Sequence, residues 1–286
     1  MAGVPELKDK SIIVCGIVRN AAKGLRRNIP VIDALCSYFG GYRVVFYEND
    51  SKDTTKEVLA AWQKTNPERI CILSEDHDTT SAIPTESEVK GNPFFSERRI
   101  QKMVDLRNRY MDYIEKHQWN ADYLMVVDMD VQRIDLEGVL SSFADIRGWD
   151  AVTAYGYSTS PKLRKRYHDT YALTEYGDEG NPQTEEKIKR LAEKYALRKG
   201  EEDWIRVFSA FGGMAIYRYE RVKGLRYQVL PNKDSRVEVR CEHFSLYWQM
   251  AKQGEIKVYV NPKMKIEYQR LSLGIIWRSL RRMIGI

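Results

Sequence analysis

The chain has few cysteines and no long apolar run. Only 4 of its 286 residues are cysteine, and Cys15, Cys36, Cys71 and Cys241 are scattered without a CxxC pair or the spacing of metal ligands. We therefore expect reduced thiols and no disulfide framework. The first ten residues are polar and lack the apolar segment of a signal peptide. No apolar stretch approaches the roughly 20 residues that a membrane-spanning helix needs. These absences predict a cytoplasmic protein.

Neither repeats nor low-complexity linkers divide the chain. Its hydrophobic content of 43% and aromatic content of 11% are typical of a globular protein. The net charge of +6 suits nucleic acid, an anionic membrane or a phosphorylated substrate equally well. Basic residues are interleaved with acidic ones and no recognition motif for nucleic acid is present, so we expect no nucleic-acid partner.

Strand-like and helix-like segments alternate along the first half of the chain. Apolar or β-rich runs at 11–18, 42–47, 70–73 and 123–127 are separated by segments with helical periodicity. This alternation predicts an α/β fold with a doubly wound, mostly parallel sheet flanked by helices. We expect one domain over 1–270, with a nucleotide-binding half at about 11–130 and an acceptor half at about 131–270.

An acidic pair follows the apolar run that ends at residue 127. Asp128 and Asp130 are one residue apart, at the end of a strand where open α/β sheets bind their ligands. Two carboxylates with this spacing can bind one Mg²⁺ or Mn²⁺ ion, whose remaining ligands would be water and phosphate oxygens. Haloacid-dehalogenase-type phosphatases also place an acidic pair after a strand, with the first aspartate as nucleophile. Their pair lies near the start of the chain, whereas this one lies near the middle.

In the order of its motifs, the chain from about 11 to 268 resembles the GT-A glycosyltransferases, both bacterial family-2-like enzymes and fungal capsule-associated mannosyltransferases of the CAP59 type. The motifs are the first strand end, an acidic turn after the second strand, an Arg–Asn pair on a long helix, the acidic pair, a Gly-Gly segment and an acidic helix start. The resemblance implies a GT-A, Rossmann-like fold. It also implies transfer of a hexose from a nucleotide-diphosphate sugar to a hydroxyl acceptor, assisted by Mn²⁺ or Mg²⁺.

The resemblance also assigns roles to individual residues. It implies donor or nucleotide binding by one group of side chains and backbone segments: Arg19, Asn20, Glu48, Asp50, Asp53, Arg99, Arg107, Asn108, Gly212 and Gly213. It implies metal binding by Asp128 and Asp130. Glu242 and His243 stand where inverting enzymes of this type carry two carboxylates. Glu242 is therefore a candidate general base, and His243 is a candidate base or additional metal ligand. The second acid of that motif is His243 here; if Glu242 is not the base, the resemblance to CAP59-type enzymes implies transfer with retention, so both inverting and retaining transfer stay open.

The last sixteen residues predict a basic amphipathic helix at 271–286. Apolar side chains including Trp277 share one face, and Arg278, Arg281 and Arg282 share the other. Such a helix suits an anionic membrane surface, and it equally suits packing against protein. The membrane interpretation implies a peripheral location on the inner face of the cell membrane. The acceptor would then be a lipid-linked glycan, as in capsule or lipopolysaccharide assembly.

Two other function classes fit parts of the pattern. A sugar-phosphate nucleotidyltransferase also combines a doubly wound sheet with carboxylate-bound Mg²⁺, but the segment from Arg19 to Gly24 is a poor match to its Gly-rich phosphate loop. A binding module without enzymatic activity is disfavoured because the basic residues are spread over many helices and interleaved with acids, and no recognition motif appears. The predicted function is therefore glycosyl transfer, with nucleotidyl transfer or phosphatase chemistry at Asp128 as the alternatives.

Overall fold

The structure is a computed structural model that describes residues 7–77, 92–144, 147–159, 165–196 and 203–269. Its strands are β1 (Leu7–Val18), β2 (Phe39–Asn49), β3 (Ile70–Glu75), β4 (Tyr123–Val127), β5 (Arg133–Ile134), β6 (Ala151–Thr159), β7 (Lys165–Tyr167), β8 (Thr174–Glu175), β9 (Ile205–Ser209), β10 (Met214–Arg218) and β11 (Val258–Gln269). Its α-helices are α1 (Ala22–Cys36), α2 (Thr55–Thr65), α3 (Glu97–Lys116), α4 (Leu136–Ser141), α5 (Glu185–Lys194), α6 (Tyr219–Val222) and α7 (Glu242–Lys252). A 3-10 turn over Pro93–Phe95 precedes α3.

One sheet holds all of these strands. The order along it is β3-β2-β1-β4-β10-β6-β11-β9-β8, with β5 paired to β11 and β7 paired to β6. Strands β1 to β4 are mutually parallel, and β6 and β11 run in the same direction because β10 is antiparallel to both β4 and β6. The α/β class and the predominance of one strand direction are confirmed. Strands from both predicted halves of the chain belong to this single sheet.

Helices cover both faces of the sheet, as expected of a doubly wound fold. Successive residues of β1 alternate between two cores, with Ile13 and Cys15 on one side and Ile12 and Val14 on the other. The first core is closed by apolar residues of α3 and α7, and the second by those of α1, α2 and α4. Burial on both faces explains why these strands are apolar runs without polar alternation.

The carboxyl ends of β1, β2 and β4 lie together at one edge of the sheet. Because these strands are parallel neighbours in register, Val18, Asn49 and Val127 end close to one another. Antiparallel β10 follows β4 in the sheet and interrupts the parallel order there. A crevice opens between β1 and β4, because β2 and β3 lie on one side of β1 and β4 lies on the other, and ligands bind at such a switch in strand order.

Other sequence predictions are settled only in part by the described residues. All four cysteines are free thiols, as expected. In the described part of the chain, no helix combines the length and apolar character needed to cross a membrane. The predicted amphipathic helix at 271–286 lies outside the described residues.

Candidate active site

A cleft of about 350 Å³ opens at the carboxyl ends of β1, β2 and β4. Its walls come from these strand ends, one face of α3, the loop after β7, the start of α7 and the end of β11. The cleft brings together seven of the residues singled out in the sequence: Arg19, Arg99, Arg107, Asp128, Asp130, Glu242 and His243. They come from segments far apart in the chain, so their convergence is a property of the fold.

Asp128 is the acidic residue at the end of β4. Its backbone N–H donates to the carbonyl of Gly213 at 2.9 Å, and its Oδ2 accepts a hydrogen bond from Tyr268 Oη at 3.0 Å. Burial raises the pKa of Asp128 to about 7, although the positive charge of Arg107 acts in the opposite direction. An ionised carboxylate at this position is therefore destabilised until a cation approaches it.

The donor set of the cleft fits a divalent cation that is shared with a ligand. Asp128 and Asp130 provide hard oxygen donors, and Asp130 is solvent-exposed. No three His, Cys, Asp or Glu side chains in the described ranges are grouped so that they could hold an ion by themselves. The structure therefore does not gather Asp128, Asp130 and His243 as three ligands of one ion. Two carboxylates plus phosphate oxygens and water are the usual surroundings of Mg²⁺ in phosphate-binding sites.

One face of α3 gives the cleft a positively charged wall. Arg99, Lys102 and Arg107 all line the cleft from α3, and Arg99 and Lys102, three residues apart, are neighbours on its surface. Arg19 joins them from the end of β1. Burial and the positive charge of Arg19 lower the pKa of Lys102, as expected where cations are crowded. Such a wall opposite two carboxylates suits a metal-bound diphosphate.

Arg107 and Glu242 form a buried ion pair. Arg107 Nε donates to Glu242 Oε1 at 3.0 Å, and the two side chains are only 4% and 5% exposed. Burial by itself raises the pKa of Glu242, but Arg107, followed by other nearby positive charge, lowers it to about 2. Glu242 is also the first residue of α7, where the helix dipole favours negative charge. Arg107 Nη1 is buried and has no hydrogen-bond partner among the described residues, which leaves it available to a ligand.

His243 lies beside this pair, packed between aromatic rings. Its imidazole stacks on Phe211 with ring centroids 3.7 Å apart and meets Tyr227 edge-on at 5.7 Å. Burial lowers the pKa of His243 well below its usual range, so the ring is neutral. Within the described ranges, neither ring nitrogen has a hydrogen-bond partner. The ring therefore keeps its hydrogen-bonding capacity for a ligand in the cleft.

Four of the side chains predicted to bind the nucleotide do not line the cleft. Asn20, Glu48, Asp50 and Asp53 are not among the lining residues in the described part of the chain. Glu48 is fully buried, where its Oε1 accepts the N–H of Ser51 at 2.9 Å. Asp50 accepts the N–H of residue 77, Asp53 accepts that of residue 22, and Asn20 accepts that of residue 52. These side chains hold the loops that follow β1 and β2, because buried backbone N–H groups require acceptors.

Three further predicted residues also support the site from outside. Asn108 exchanges two hydrogen bonds with the backbone of Tyr227, at 3.0 and 2.9 Å, and does not line the cleft. Gly212 and Gly213 have φ angles of +62° and +88°, which favour glycine. A Cβ atom at Gly213 would lie 2.8 Å from the hydroxyl of Tyr268, and one at Gly212 would lie 2.2 Å from a backbone carbonyl. The glycines thus permit the close packing that positions Asp128.

The cleft also contains residues that the sequence interpretation missed. Asn49 lies within the predicted turn and Lys102 lies on the predicted long helix, so both carried a local signal. Others come from the 3-10 turn before α3, the loop after β7 and the end of β11, among them Phe94, His168, Asp169 and Tyr268. No motif marks these positions. Phe94 lies beside Arg99 at the start of α3, whereas the pairing of β7 and β11 with β6 brings the other three to the cleft.

Comparison with known proteins identifies the family. The sequence model of the family described as Cryptococcal mannosyltransferase 1 matches residues 11–245, which is most of the chain. The chain belongs to this family. The predicted resemblance and the predicted enzyme class, a hexosyltransferase, are confirmed. Comparison with curated protein sequences gives no match.

Solved structures with a similar course of the chain include two that cover nearly all of this chain. One is the mannosyltransferase PcManGT from Pyrobaculum calidifontis in complex with GDP-Man and Mn²⁺, at 12% identity and a TM-score of 0.49, covering 98% of this chain and 63% of that one. The other is S. aureus TarS 1–349, at 12% identity and a TM-score of 0.47, covering 96% and 64%. This chain of the mannosyltransferase family spans less than two thirds of either protein. Its own doubly wound sheet, together with the family match, confirms the predicted GT-A fold class.

Proposed function

We propose that this member of the mannosyltransferase family transfers a hexose, with mannose as the first candidate, from a nucleoside-diphosphate sugar to a hydroxyl acceptor. One observation carries the proposal: Asp128 and Asp130 face Arg99, Lys102 and Arg107 across a single cleft at the carboxyl ends of parallel strands. Carboxylates bind a divalent cation and the cations bind phosphate, so the cleft is complementary to a metal–diphosphate group.

Each side of the cleft has a role in the transfer. A bound Mn²⁺ or Mg²⁺ ion supplies positive charge that stabilises the departing diphosphate. Asp128 and Asp130 are the side chains that would hold this ion. Arg107, fixed by Glu242, presents its free Nη1 to a phosphate oxygen, while Arg99 adds a second positive charge on the same helix. Partial burial strengthens these interactions because less water competes for them.

The test is donor cleavage with a panel of nucleotide sugars, including GDP-mannose and UDP sugars, with and without Mn²⁺. We expect release of a nucleoside diphosphate that depends on the metal and is lost in Asp128→Asn. Asp105→Asn is the matched control, because Asp105 is an exposed carboxylate on α3 that does not line the cleft. Release of pyrophosphate would instead indicate nucleotidyl transfer, and release of inorganic phosphate would indicate a phosphatase.

Donor binding provides a second, separate test. Arg99 Nε is buried without a partner in the described part of the chain, and Arg99 Nη1 donates to the carbonyl of Phe94 at 3.1 Å. A charge-assisted hydrogen bond contributes about 1.5–3 kcal/mol, so Arg99→Ala should weaken nucleoside-diphosphate binding by roughly 10- to 100-fold. Unchanged affinity would place the diphosphate elsewhere in the cleft.

The acceptor and the location belong to the same proposal. The alternation of apolar and arginine residues in 271–286 supports a lipid-linked glycan acceptor at an anionic membrane surface, on the cytoplasmic side. Deletion of 271–286 should then abolish binding to vesicles that contain anionic lipid while leaving donor cleavage intact. Equal vesicle binding by the full and shortened chains would refute the membrane role.

A further inference from the structure

His243 is a buried polar side chain in the wall of the cleft. It is the second residue of α7, and its side chain is only 2% exposed. Neither Nδ1 nor Nε2 has a hydrogen-bond partner among the residues that the structure describes. Buried polar atoms are rarely left in this state, because an unmet donor or acceptor costs free energy. Since His243 lines the cleft, its nitrogen atoms are placed to bond a ligand that enters it.

Aromatic contacts fix the ring of His243 without using its nitrogen atoms. Phe211 stacks on the imidazole with the two ring planes 15° apart, and Tyr227 meets it edge-on at 82°. Tyr227 is itself held in place, because its hydroxyl accepts a hydrogen bond from the hydroxyl of Tyr110 at 3.0 Å. A side chain that is already fixed loses little conformational freedom when a ligand binds. The packing therefore orients His243 before a ligand arrives.

The neighbouring charges leave one hydrogen-bond donor and one acceptor on the ring. Burial, assisted by the positive charge of Arg107, lowers the pKa of His243 well below its usual range, so the imidazole is neutral. Nε2 lies 3.7 Å from Oε1 of Glu242, too far for a hydrogen bond but close enough for the carboxylate to favour a proton on Nε2. Nδ1 is then an acceptor. The ionised oxygens of a diphosphate carry no proton and do not match it, whereas a hydroxyl group does.

The position of His243 beside Arg107 points to the sugar of the donor. The guanidinium of Arg107 lies 5.3 Å from the centre of the Phe211 ring, and the same ring stacks on His243. The proposed function assigns Nη1 of Arg107 to a phosphate oxygen. In a nucleotide sugar the hexose is bonded directly to the terminal phosphate, so its hydroxyl groups lie close to any side chain that borders the phosphate site. His243 is such a side chain.

We propose that His243 recognises a hydroxyl group of the transferred hexose by accepting its O–H hydrogen at Nδ1. The inference rests on the proposed glycosyl transfer and identifies a part of the cleft that selects the sugar. The contact is a hydrogen bond only, in which the hydroxyl keeps its proton and no covalent bond changes. Because a site built to bond a hydroxyl rejects sugars that lack it, His243 is a determinant of donor specificity.

The first test measures binding of GDP and of GDP-mannose by calorimetry with Mn²⁺, for wild type and His243→Phe; UDP and a UDP sugar replace them if the panel shows that donor to be cleaved. Phenylalanine keeps the ring contacts and removes both nitrogen atoms. The Kd for GDP-mannose should rise roughly 5- to 100-fold, because the sugar hydroxyl loses its partner, while the Kd for GDP should stay within about twofold. Equal changes for the two ligands, or no change for GDP-mannose, would overturn the assignment.

Two controls separate recognition from a structural role. His117→Phe is the matched variant, because His117 also stacks on an aromatic ring, that of Tyr113, and does not line the cleft. It should leave both Kd values unchanged. Without ligand, the Tm of His243→Phe should not fall below that of wild type, because the substitution removes unpaired polar atoms from a buried position. A lower Tm would show that the nitrogen atoms are already hydrogen-bonded in the free protein, which contradicts the inference.

The second test uses deoxy analogues of the donor to identify the hydroxyl. GDP-mannose derivatives that lack one hydroxyl group of the sugar are compared in wild type and His243→Phe. One derivative should bind wild type more weakly than GDP-mannose does and should lose no further affinity in the variant. If every derivative loses as much affinity in the variant as GDP-mannose does, His243 contacts no sugar hydroxyl and this inference alone fails. If wild type binds and cleaves no nucleotide sugar of the panel, the proposed transfer itself fails.

Discussion

Replacing Asp128 with asparagine should stabilise the metal-free protein and abolish its response to metal and nucleotide. The rise in the pKa of Asp128 from 3.8 to about 7 corresponds to at most about 4 kcal/mol of stability lost when the carboxylate is ionised. Because the side chain is only partly buried, we expect roughly 1–2 kcal/mol, or about 2–5 °C in Tm for a chain of this size. Asparagine keeps an acceptor for the hydroxyl of Tyr268 and carries no charge.

The pH dependence of this effect has a definite sign. The folded state binds the proton of Asp128 more tightly than the unfolded state does, so the stability loss is absent below about pH 4. It grows as the pH rises from about 4 to about 7 and is complete above that. In thermal unfolding with a chelator present, Asp128→Asn should therefore have a higher Tm than wild type at about pH 8, and the two Tm values should converge at about pH 4. Asp105→Asn should follow wild type throughout.

Addition of Mn²⁺ and nucleoside diphosphate should reverse the order of stability. A ligand at about 100 times its Kd stabilises the folded state by about 2.7 kcal/mol, and only wild type should gain this. If Asp128→Asn is less stable than wild type in the chelator at about pH 8, hydrogen bonds within the protein stabilise the ionised carboxylate without a metal, and the reasoning is refuted. If metal and nucleotide stabilise both proteins equally, Asp128 does not bind the metal.

Three further predictions concern residues that support the cleft. Arg107→Ala should lower the free energy of unfolding by about 3–5 kcal/mol in denaturant unfolding, because it leaves Glu242 buried without its partner. Combining it with Glu242→Gln should recover much of this loss. Asn108→Ala should reduce stability by roughly 1–3 kcal/mol without changing nucleotide affinity, since its two hydrogen bonds hold backbone outside the cleft; a calorimetric change in affinity would contradict this. Gly213→Ala should lower Tm and remove the response to Mn²⁺ and nucleotide, because its φ is +88° and the new Cβ would displace Tyr268. Gly180→Ala, where a Cβ atom meets nothing within 4 Å, is the control and should leave both unchanged.

The elements nearest the acidic pair were predictable because their signals are local. A strand was predicted at 123–127 and is observed as β4 (Tyr123–Val127), since a short apolar run ending in polar residues is characteristic of a buried parallel strand. The long helix that carries the Arg–Asn pair was predicted between the runs at 70–73 and 123–127 and is observed as α3 (Glu97–Lys116). Arg99 and Arg107 on this helix were singled out by the resemblance, and both line the cleft.

The roles of individual polar residues were less predictable. Glu48, Asp50 and Asp53 have the composition of a nucleotide-binding turn, yet their oxygens accept backbone N–H groups of neighbouring loops. A sequence pattern shows which groups can accept hydrogen bonds but does not show which donors the fold brings to them. Asp169 was missed for a related reason, because it lies in a charged stretch without regular patterning.

The amino-acid sequence by itself determined the α/β alternation, the position of the acidic pair at a strand end and the resemblance to a glycosyltransferase family. These features depend on neighbouring residues, whose side-chain periodicity follows from backbone geometry. Only the tertiary structure decided that Arg107 pairs with Glu242, 135 residues away, and that Asp169 lies in the same cleft as Asp128. Such contacts depend on how strands are ordered in the sheet and on which loops their pairing brings together, and no short segment of the sequence contains that information.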